Sequence, residues 1–323
     1  MKKDFQTIEI LISSLKIILE IEKDLVNIQR LFGLLKNSKG VNNFNNKIKI
    51  TIKEDKKRYI KLSLNKRHLI IAGYNIDDLS NPFNLIGLLQ AFFRFVGLHS
   101  IKNNLFLLHG SAAIFNKNAL CFADDGESTA KTLSSIEIAL TSNEYIGDEF
   151  CFLNKNGVIS SYSFIPIHIR IQIANYFNKY HKKFFDSFKD NNKSCAGYFI
   201  SPKNNFRNIK SKRLSAIIFV HFNVKKEKDR FKKLTKKESK QAVLKSILSH
   251  IAKLFNPKLD RMNFVEEKDS TKKIIYDKDF LNSIKRELKL NGSIENLIKN
   301  IPCYRIYISK PQDIVKIIEK IEP

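Results

Sequence analysis

The stretch Leu108–Leu153, LHGSAAIFNKNALCFADDGESTAKTLSSIEIALTSNEYIGDEFCFL, decides how the rest of the chain is read. Phe106–Phe115 predicts a strand, Asn116-Lys117-Asn118 has hairpin-turn chemistry, and Ala119–Ala123 predicts a second, wholly apolar strand. A polar, glycine-containing loop covers 124–130. A helix is expected from Lys131 to about Ser142, with Leu133, Ile136 and Leu140 on one face. Tyr145-Ile146-Gly147 reads as a short strand that ends on Asp148 and Glu149. Strand, loop, helix and a strand ending in carboxylates is a nucleotide-site layout, because the helix start offers backbone N–H groups to phosphate.

The loop Asp125-Gly126-Glu127-Ser128-Thr129-Ala130-Lys131-Thr132 has the length and the Lys-Thr ending of GxxxxGK[ST], but not its two glycines. Such a loop needs N–H groups facing phosphates, a lysine to balance their charge and a hydroxyl for Mg²⁺. Lys131 and Thr132 supply the last two. Ala130 is the smallest departure from glycine at its position. Asp125 brings a carboxylate near the phosphates that repels them unless it points away, and Gly126 takes the flexible role one residue later. Asp148 and Glu149, beginning 17 residues after Lys131, stand where a strand end holds Mg²⁺ opposite a phosphate loop. Each feature also has a plainer reading. The loop could be a charged helix start, the acids a solvated turn, and His109 a structural histidine.

Taken together, these residues resemble the core of the HPr kinase/phosphorylase family and its HPr-kinase-like relatives, whose fold is shared with ATP-dependent phosphoenolpyruvate carboxykinase. The similarity is specific over Leu108–Leu153, with weaker echoes in IPIHIRI, AIIFVHF and IPCYRIYISKPQDIVKIIEKI. The match is better to the relatives than to the HPr enzymes themselves. The resemblance implies a P-loop kinase core that uses ATP and Mg²⁺. Gly126, Glu127, Ser128, Thr129, Ala130, Lys131 and Thr132 would cradle the nucleotide, with Lys131 on the β- and γ-phosphates and Thr132 on the metal. Asp148 would be the base for an acceptor hydroxyl and share the metal, Glu149 would aid the metal, and His109 would hold Asp148 ionised or touch the transferring phosphoryl. The family's later arginine has no clear match, and Arg170, Arg213 and Arg305 are its candidates here. Homo-oligomers are common in the family.

Outside that core, residues 5–36 predict helix, from the spacing of Ile8, Leu11, Ile12, Leu15, Ile18 and Leu19. A turn or loop is expected over 37–46. Lys47–Ile52, Tyr59–Leu64 and Leu69–Ala72 predict short strands, and 83–99 an apolar helix. Asn84, Gln90, Arg94 and His99 suit a buried helix better than a membrane span. Farther on, Ile165–Ile173, Ala216–Phe222 and Cys303–Ile308 predict strands. Helices are expected over 174–192, 238–255, 274–300 and 311–321. The fold expected is therefore α/β of the α+β kind, with an N-terminal helical and β-strand region over 1–103 and the kinase domain with its mixed sheet over 104–323.

The 323 residues are 43% hydrophobic, enough to bury a large core, and 28% charged. The formal net charge is +25, of which residues 1–150 carry +4 and residues 151–323 carry +21. Of the basic residues, 46 are lysine and 11 arginine, a balance that AT-rich coding bias alone can produce. Read functionally, the basic half suits an acidic acceptor. The four cysteines, Cys121, Cys151, Cys195 and Cys303, show no metal-ligand spacing and are expected as buried thiols in a reducing cytoplasm. No secretory signal is apparent in the sequence, and no membrane partner is expected.

The leading expectation is a cytoplasmic phosphotransferase that moves the γ-phosphoryl of Mg-ATP to a hydroxyl. The acceptor would be a serine of a protein or peptide, or a small alcohol such as free serine. A catalytically inactive nucleotide-binding or scaffold module of the same fold is the first alternative. The second is a nucleic-acid-binding or nucleic-acid-modifying protein. Its support is segment 206–240, with 13 Lys and Arg against Glu227, Asp229 and Glu238.

Overall fold

A computed structural model describes residues 3–12, 15–35, 46–63, 65–126, 130–162, 164–190, 193–194, 197–222, 230–255 and 292–321. The chain forms two compact units. Residues up to Leu105 belong to the first, and Phe106–His250 with the C-terminal elements to the second.

The first unit corrects the helix expected over 5–36. Strands β1 (Phe5–Ile12) and β2 (Leu15–Glu22) form an antiparallel hairpin, in register from Phe5↔Glu22 to Ile12↔Leu15, and only Val26–Gly33 is helical (α1). The reason is a period of two hidden in a run that also fits helical spacing. Ile8, Ile10, Ile12, Leu15, Ile17, Leu19 and Ile21 alternate and are all buried. Isoleucine, stiff at χ1, packs well on a pleated surface. The opposite face carries ion pairs such as Lys16–Glu9 at 2.9 Å. Strands β3 (Asn46–Glu54), β4 (Tyr59–Ser63) and β5 (His68–Gly73) extend the sheet in the order β1-β2-β3-β5-β4. Asp77 accepts hydrogen bonds from the backbone N–H groups of Asn27 and Ile28, at 3.1 and 2.9 Å, and so satisfies the start of α1. Helix α2 (Pro82–Ser100) is apolar and long enough to cross a membrane by composition, yet 89% of its most apolar window is buried inside the protein.

The second unit begins with β6 (Leu105–Phe115) and β7 (Asn118–Ala123), joined at Asn116 and Lys117. Both of these residues have positive φ, 47° and 69°, as a two-residue hairpin turn that matches strand twist requires. After α3 (Lys131–Ser142) come β8 (Glu144–Gly147), β9 (Phe150–Asn154) and β10 (Val158–Ser160). A small antiparallel sheet is made by β11 (Ile167–Arg170), β12 (Lys193–Ser194) and β13 (Gly197–Ile200). The strand expected over Ile165–Ile173 stops at Arg170, because the apolar period changes there. Ala174 and Phe177, three apart, are the buried positions of helix α4 (Ile171–Tyr180). Short helices α5 (Lys182–Asp186) and α6 (Pro202–Asn205) follow.

The remaining elements are β14 (Arg207–Asn208), β15 (Ser211–Phe222), β16 (Arg230–Lys233), α7 (Lys236–Phe255), α8 (Ser293–Asn300), β17 (Cys303–Ile308) and α9 (Asp313–Ile321). The large sheet runs β14-β8-β6-β9-β10-β15-β17-β16, with β7 paired to both β6 and β15. It is mixed: β7–β15 and β15–β17 are parallel, whereas β6–β7 and β16–β17 are antiparallel. Leu133, Ile136 and Ala139 of α3 join Phe122, Ile218, Ile306, Ile314 and Ile317 in one buried cluster, which fixes α3 against the sheet. The loop expected over 37–46 lies outside the described residues except for Asn46, which begins β3. The 274–291 part of the helix expected over 274–300 and the 223–229 part of the charged run also lie outside them.

Candidate active site

The parallel strands β7 and β15 are hydrogen-bonded partners, and the segment that leaves β7 leads into α3. Ligand loops collect at such carboxyl ends of parallel strands. Asp124, directly after β7, is tied to β6 by its N–H, which donates to the His109 carbonyl at 2.8 Å. Its carboxylate lies 2.9 Å from His109 Nδ1 and accepts from the N–H of Gly126 at 2.8 Å. Gly126 has φ +93°, a conformation that costs glycine little. Glu127, Ser128 and Thr129 lie outside the described residues. Ala130 is buried and precedes the first turn of α3.

Lys131 and Thr132 open α3; Lys131 faces His109 and Asp124, and Thr132 faces Asp148. Lys131 Nζ lies 3.0 Å from His109 Nε2 and 3.6 Å from Asp124. Thr132 Oγ1 donates to the Asp148 carboxylate at 3.0 and 3.3 Å. Glu149 Oε1 is 3.4 Å from His109 Nε2. His109, Lys131, Thr132, Asp148 and Glu149, residues from three separate stretches of sequence, therefore form one cluster. Glu149 reaches it with φ 64°, a left-handed backbone rarely taken by a residue with a side chain. At Gly147 the position of a Cβ is filled by Ser161, whose Oγ would lie 2.1 Å away.

The two acids are tuned apart. Burial, with the charge of Glu149, raises the pKa of Asp148 to about 6, against the pull of Lys131 and Thr132. Burial acts to raise Glu149 too, but the charge and hydrogen bond of His109 outweigh it and hold that carboxyl well below its usual range. Asp124 is likewise penalised by burial, yet His109 and Lys131 bring it down to about 2. The result is two firmly ionised carboxylates around His109 and a third, Asp148, with the basicity of a group that takes protons near neutrality.

Asp125 turns to other partners. Its buried carboxylate lies 2.9 Å from Arg305 Nη2 on β17 and 3.4 Å from His221 Nε2 on β15. Of the three arginine candidates, Arg305 is thereby tied to the loop. Arg170 and Arg213 are exposed.

Sequence reasoning missed Asp124, His221, Ser249 and His250. Ser249 Oγ lies 3.2 Å from His109 Nδ1, and Ser246 Oγ donates to the His109 carbonyl at 3.4 Å. His250 Nε2 donates to the main-chain carbonyl of Glu149 at 2.7 Å, and its ring centroid is 4.6 Å from that of His109. For Asp124 a signal existed, since a carboxylate directly after an apolar strand opens the loop. For Ser249 and His250 none did, because α7 reads as an ordinary amphipathic helix about a hundred residues away.

The donor set fits the group that the motif implies. A threonine hydroxyl and a buried carboxylate are oxygen ligands of the kind Mg²⁺ takes, and an α-helix start with a lysine suits phosphate. No protein-family model matches the chain, and no curated protein matches it.

Proposed function

We propose that the chain is a cytoplasmic Mg²⁺-ATP-dependent phosphotransferase of the HPr-kinase-like kind, acting on a hydroxyl acceptor. The observation that carries this reading is the Lys131–His109 and Thr132–Asp148 pair of contacts at the start of α3. Lys131 would neutralise phosphate charge, while Thr132 and Asp148 would hold the cation. Mg²⁺, when bound, would supply neutralisation of phosphate charge. Asp148, with its raised pKa, would take the proton as the acceptor hydroxyl attacks. His109, held by Asp124, would keep its Nε2 side toward the phosphates. Phosphoryl transfer asks mainly for positioning and electrostatics, which this cluster can provide.

The test is transfer of label from γ-labelled ATP, with nucleotide binding followed in parallel. Lys131→Ala is expected to abolish turnover. Asp148→Asn is expected to leave nucleotide binding largely intact and to lower transfer by about 10²–10⁴-fold, the usual worth of a positioned base. Near-normal transfer by Asp148→Asn would remove it from the base role.

A second reading, an inactive module of the same fold, draws on Asp125. A buried carboxylate in the loop, paired with Arg305, replaces the glycine that lets such a loop approach phosphate closely. ATP binding without turnover, under conditions in which candidate serine, alcohol and peptide acceptors are all supplied, favours that reading.

A further inference from the structure

His109, Glu149 and His250 each present a ligand atom, and the three atoms lie within 4.8 Å of one another. We propose that these three side chains form a binding site for a divalent transition metal of the Zn²⁺ or Co²⁺ class, distinct from the Mg²⁺ position at Thr132 and Asp148.

The chemistry of the donors separates the two positions. Two imidazoles and one carboxylate are nitrogen-rich ligands suited to zinc and its neighbours, whereas Mg²⁺ prefers oxygen alone. In a tetrahedral zinc site, with bonds of about 2.1 Å, neighbouring ligand atoms stand roughly 3.4 Å apart. His109 Nε2 and Glu149 Oε1 are already 3.4 Å apart, and the His250 ligand atom lies within 4.8 Å of the other two.

The surrounding groups prepare the ligands. Asp124 at 2.9 Å and Ser249 at 3.2 Å face His109 Nδ1. A metal would take the ring with its hydrogen on Nδ1 and the Nε2 lone pair free, and that Nε2 faces Glu149 Oε1 at 3.4 Å and Lys131 Nζ at 3.0 Å. A carboxylate behind a ligand histidine is the usual outer partner in zinc sites, where it fixes the tautomer and raises basicity. His250 is fastened by its 2.7 Å bond to the main-chain carbonyl of the same residue that offers the carboxylate. Ring and carboxylate are thus positioned by one turn. Lys131 competes for the site, because its Nζ lies 3.0 Å from the Nε2 whose lone pair a metal would take. Binding of phosphate by Lys131 would free that lone pair, so the metal and an anion at the loop should favour one another. Metal binding needs no turnover and can be measured whether or not the chain is a kinase.

The experiment titrates the purified full chain, freed of metal with a chelator and without nucleotide, with Co²⁺ and then Zn²⁺. The expected result is one Co²⁺ per chain, with the strong visible bands of a four- or five-coordinate ion, displaced by Zn²⁺ and not by Mg²⁺. His250→Ala should weaken binding by more than about 100-fold, beyond what an outer-shell partner contributes, and Asp124→Asn by about 10–100-fold. His250→Cys should retain the metal and add a thiolate-to-Co²⁺ charge-transfer band, which guards against misreading an unfolded variant. Lys131→Met should tighten binding. Equal Co²⁺ affinity in wild type and a folded His250→Ala variant would overturn the proposal. So would binding lost in Asp148→Asn but kept in His250→Ala, which would put the cation at the Thr132 position.

Discussion

Asp148 and Glu149 are neighbours in the chain but titrate in opposite directions, and Asp148 therefore carries a stability cost that can be measured. Its folded-state pKa of about 6 lies above the ordinary 3.8. The folded protein holds that proton more tightly than the unfolded chain does. The group therefore favours folding below about pH 4, and this contribution is lost as pH rises through about 6. Asp148→Asn, which keeps an acceptor for Thr132, should be more stable than wild type by about 1–3 kcal/mol at pH 8, with the difference closing near pH 4. Denaturant titrations of chelator-treated protein at the two pH values check this, and a constant difference would contradict the burial argument. Asp124 has the opposite sign: its pKa of about 2 contributes stability above pH 4 that is lost as pH falls toward 2. Under the proposed function, kcat/KM should fall as pH drops below about 6, because the base is then protonated.

At the scale of elements, the strand β8 that delivers these acids is positioned by a close approach. The Ser161 side chain occupies the space beside Gly147 and donates to the Phe150 carbonyl at 3.1 Å. Gly147→Ala should cost about 1–3 kcal/mol by overpacking. Adding Ser161→Gly should recover most of it, a coupling that a double-mutant cycle by chemical denaturation reads directly. The same scale shows what a sequence can convey. The hairpin β6–β7, the helix α3 from Lys131 to Ser142 and the strand ending at Gly147 were legible, because turn residues and a clean change of apolar period mark each boundary. The hairpin β1–β2 was not. In LKIILEIE, apolar residues fall on both helical and alternating positions, and pairing with β1 on one side and β3 on the other selects the strand. Of the site, Lys131, Thr132 and the two acids were visible through local spacing. Asp124 had a local signal that went unused. His221, Ser249, His250 and the Asp125–Arg305 pair depend on contacts across 96 to 180 residues, which no local pattern encodes.

At the scale of the whole molecule, the charge is concentrated where the sequence is lysine-rich, and one strand shows how it is used. Among the described residues β16 is the last strand of the large sheet, and Arg230, Phe231, Lys232 and Lys233 are all exposed on it. Lysines on an edge discourage pairing with other chains. Within the basic segment, Phe206 and Phe219 are buried, so two of its aromatics are core residues, while Phe231 is exposed. Under the proposed function, an acidic acceptor should show a KM that rises steeply with salt at constant kcat, since screening weakens long-range capture and not the chemistry. Added duplex DNA or tRNA should compete only weakly at moderate salt. Saturable nucleic-acid binding with label transferred to the nucleic acid would reverse the assignment of partner. The parallel pairing of β7 with β15, and of β15 with β17, has a consequence for how the molecule comes to exist. Residues 119–122 find partners at 214–218, and residues 217–222 of the same strand find theirs at 303–308. Each closure encloses a loop of some ninety residues, so the sheet forms late and slowly, whereas the β1–β2 hairpin closes locally. The contact between Asp125 and Arg305 spans both closures, so the loop acquires its final anchor only when the last strand has docked. A chain on its way to the native state can thus possess an ordered β1–β2 hairpin and still lack the anchored loop ahead of α3.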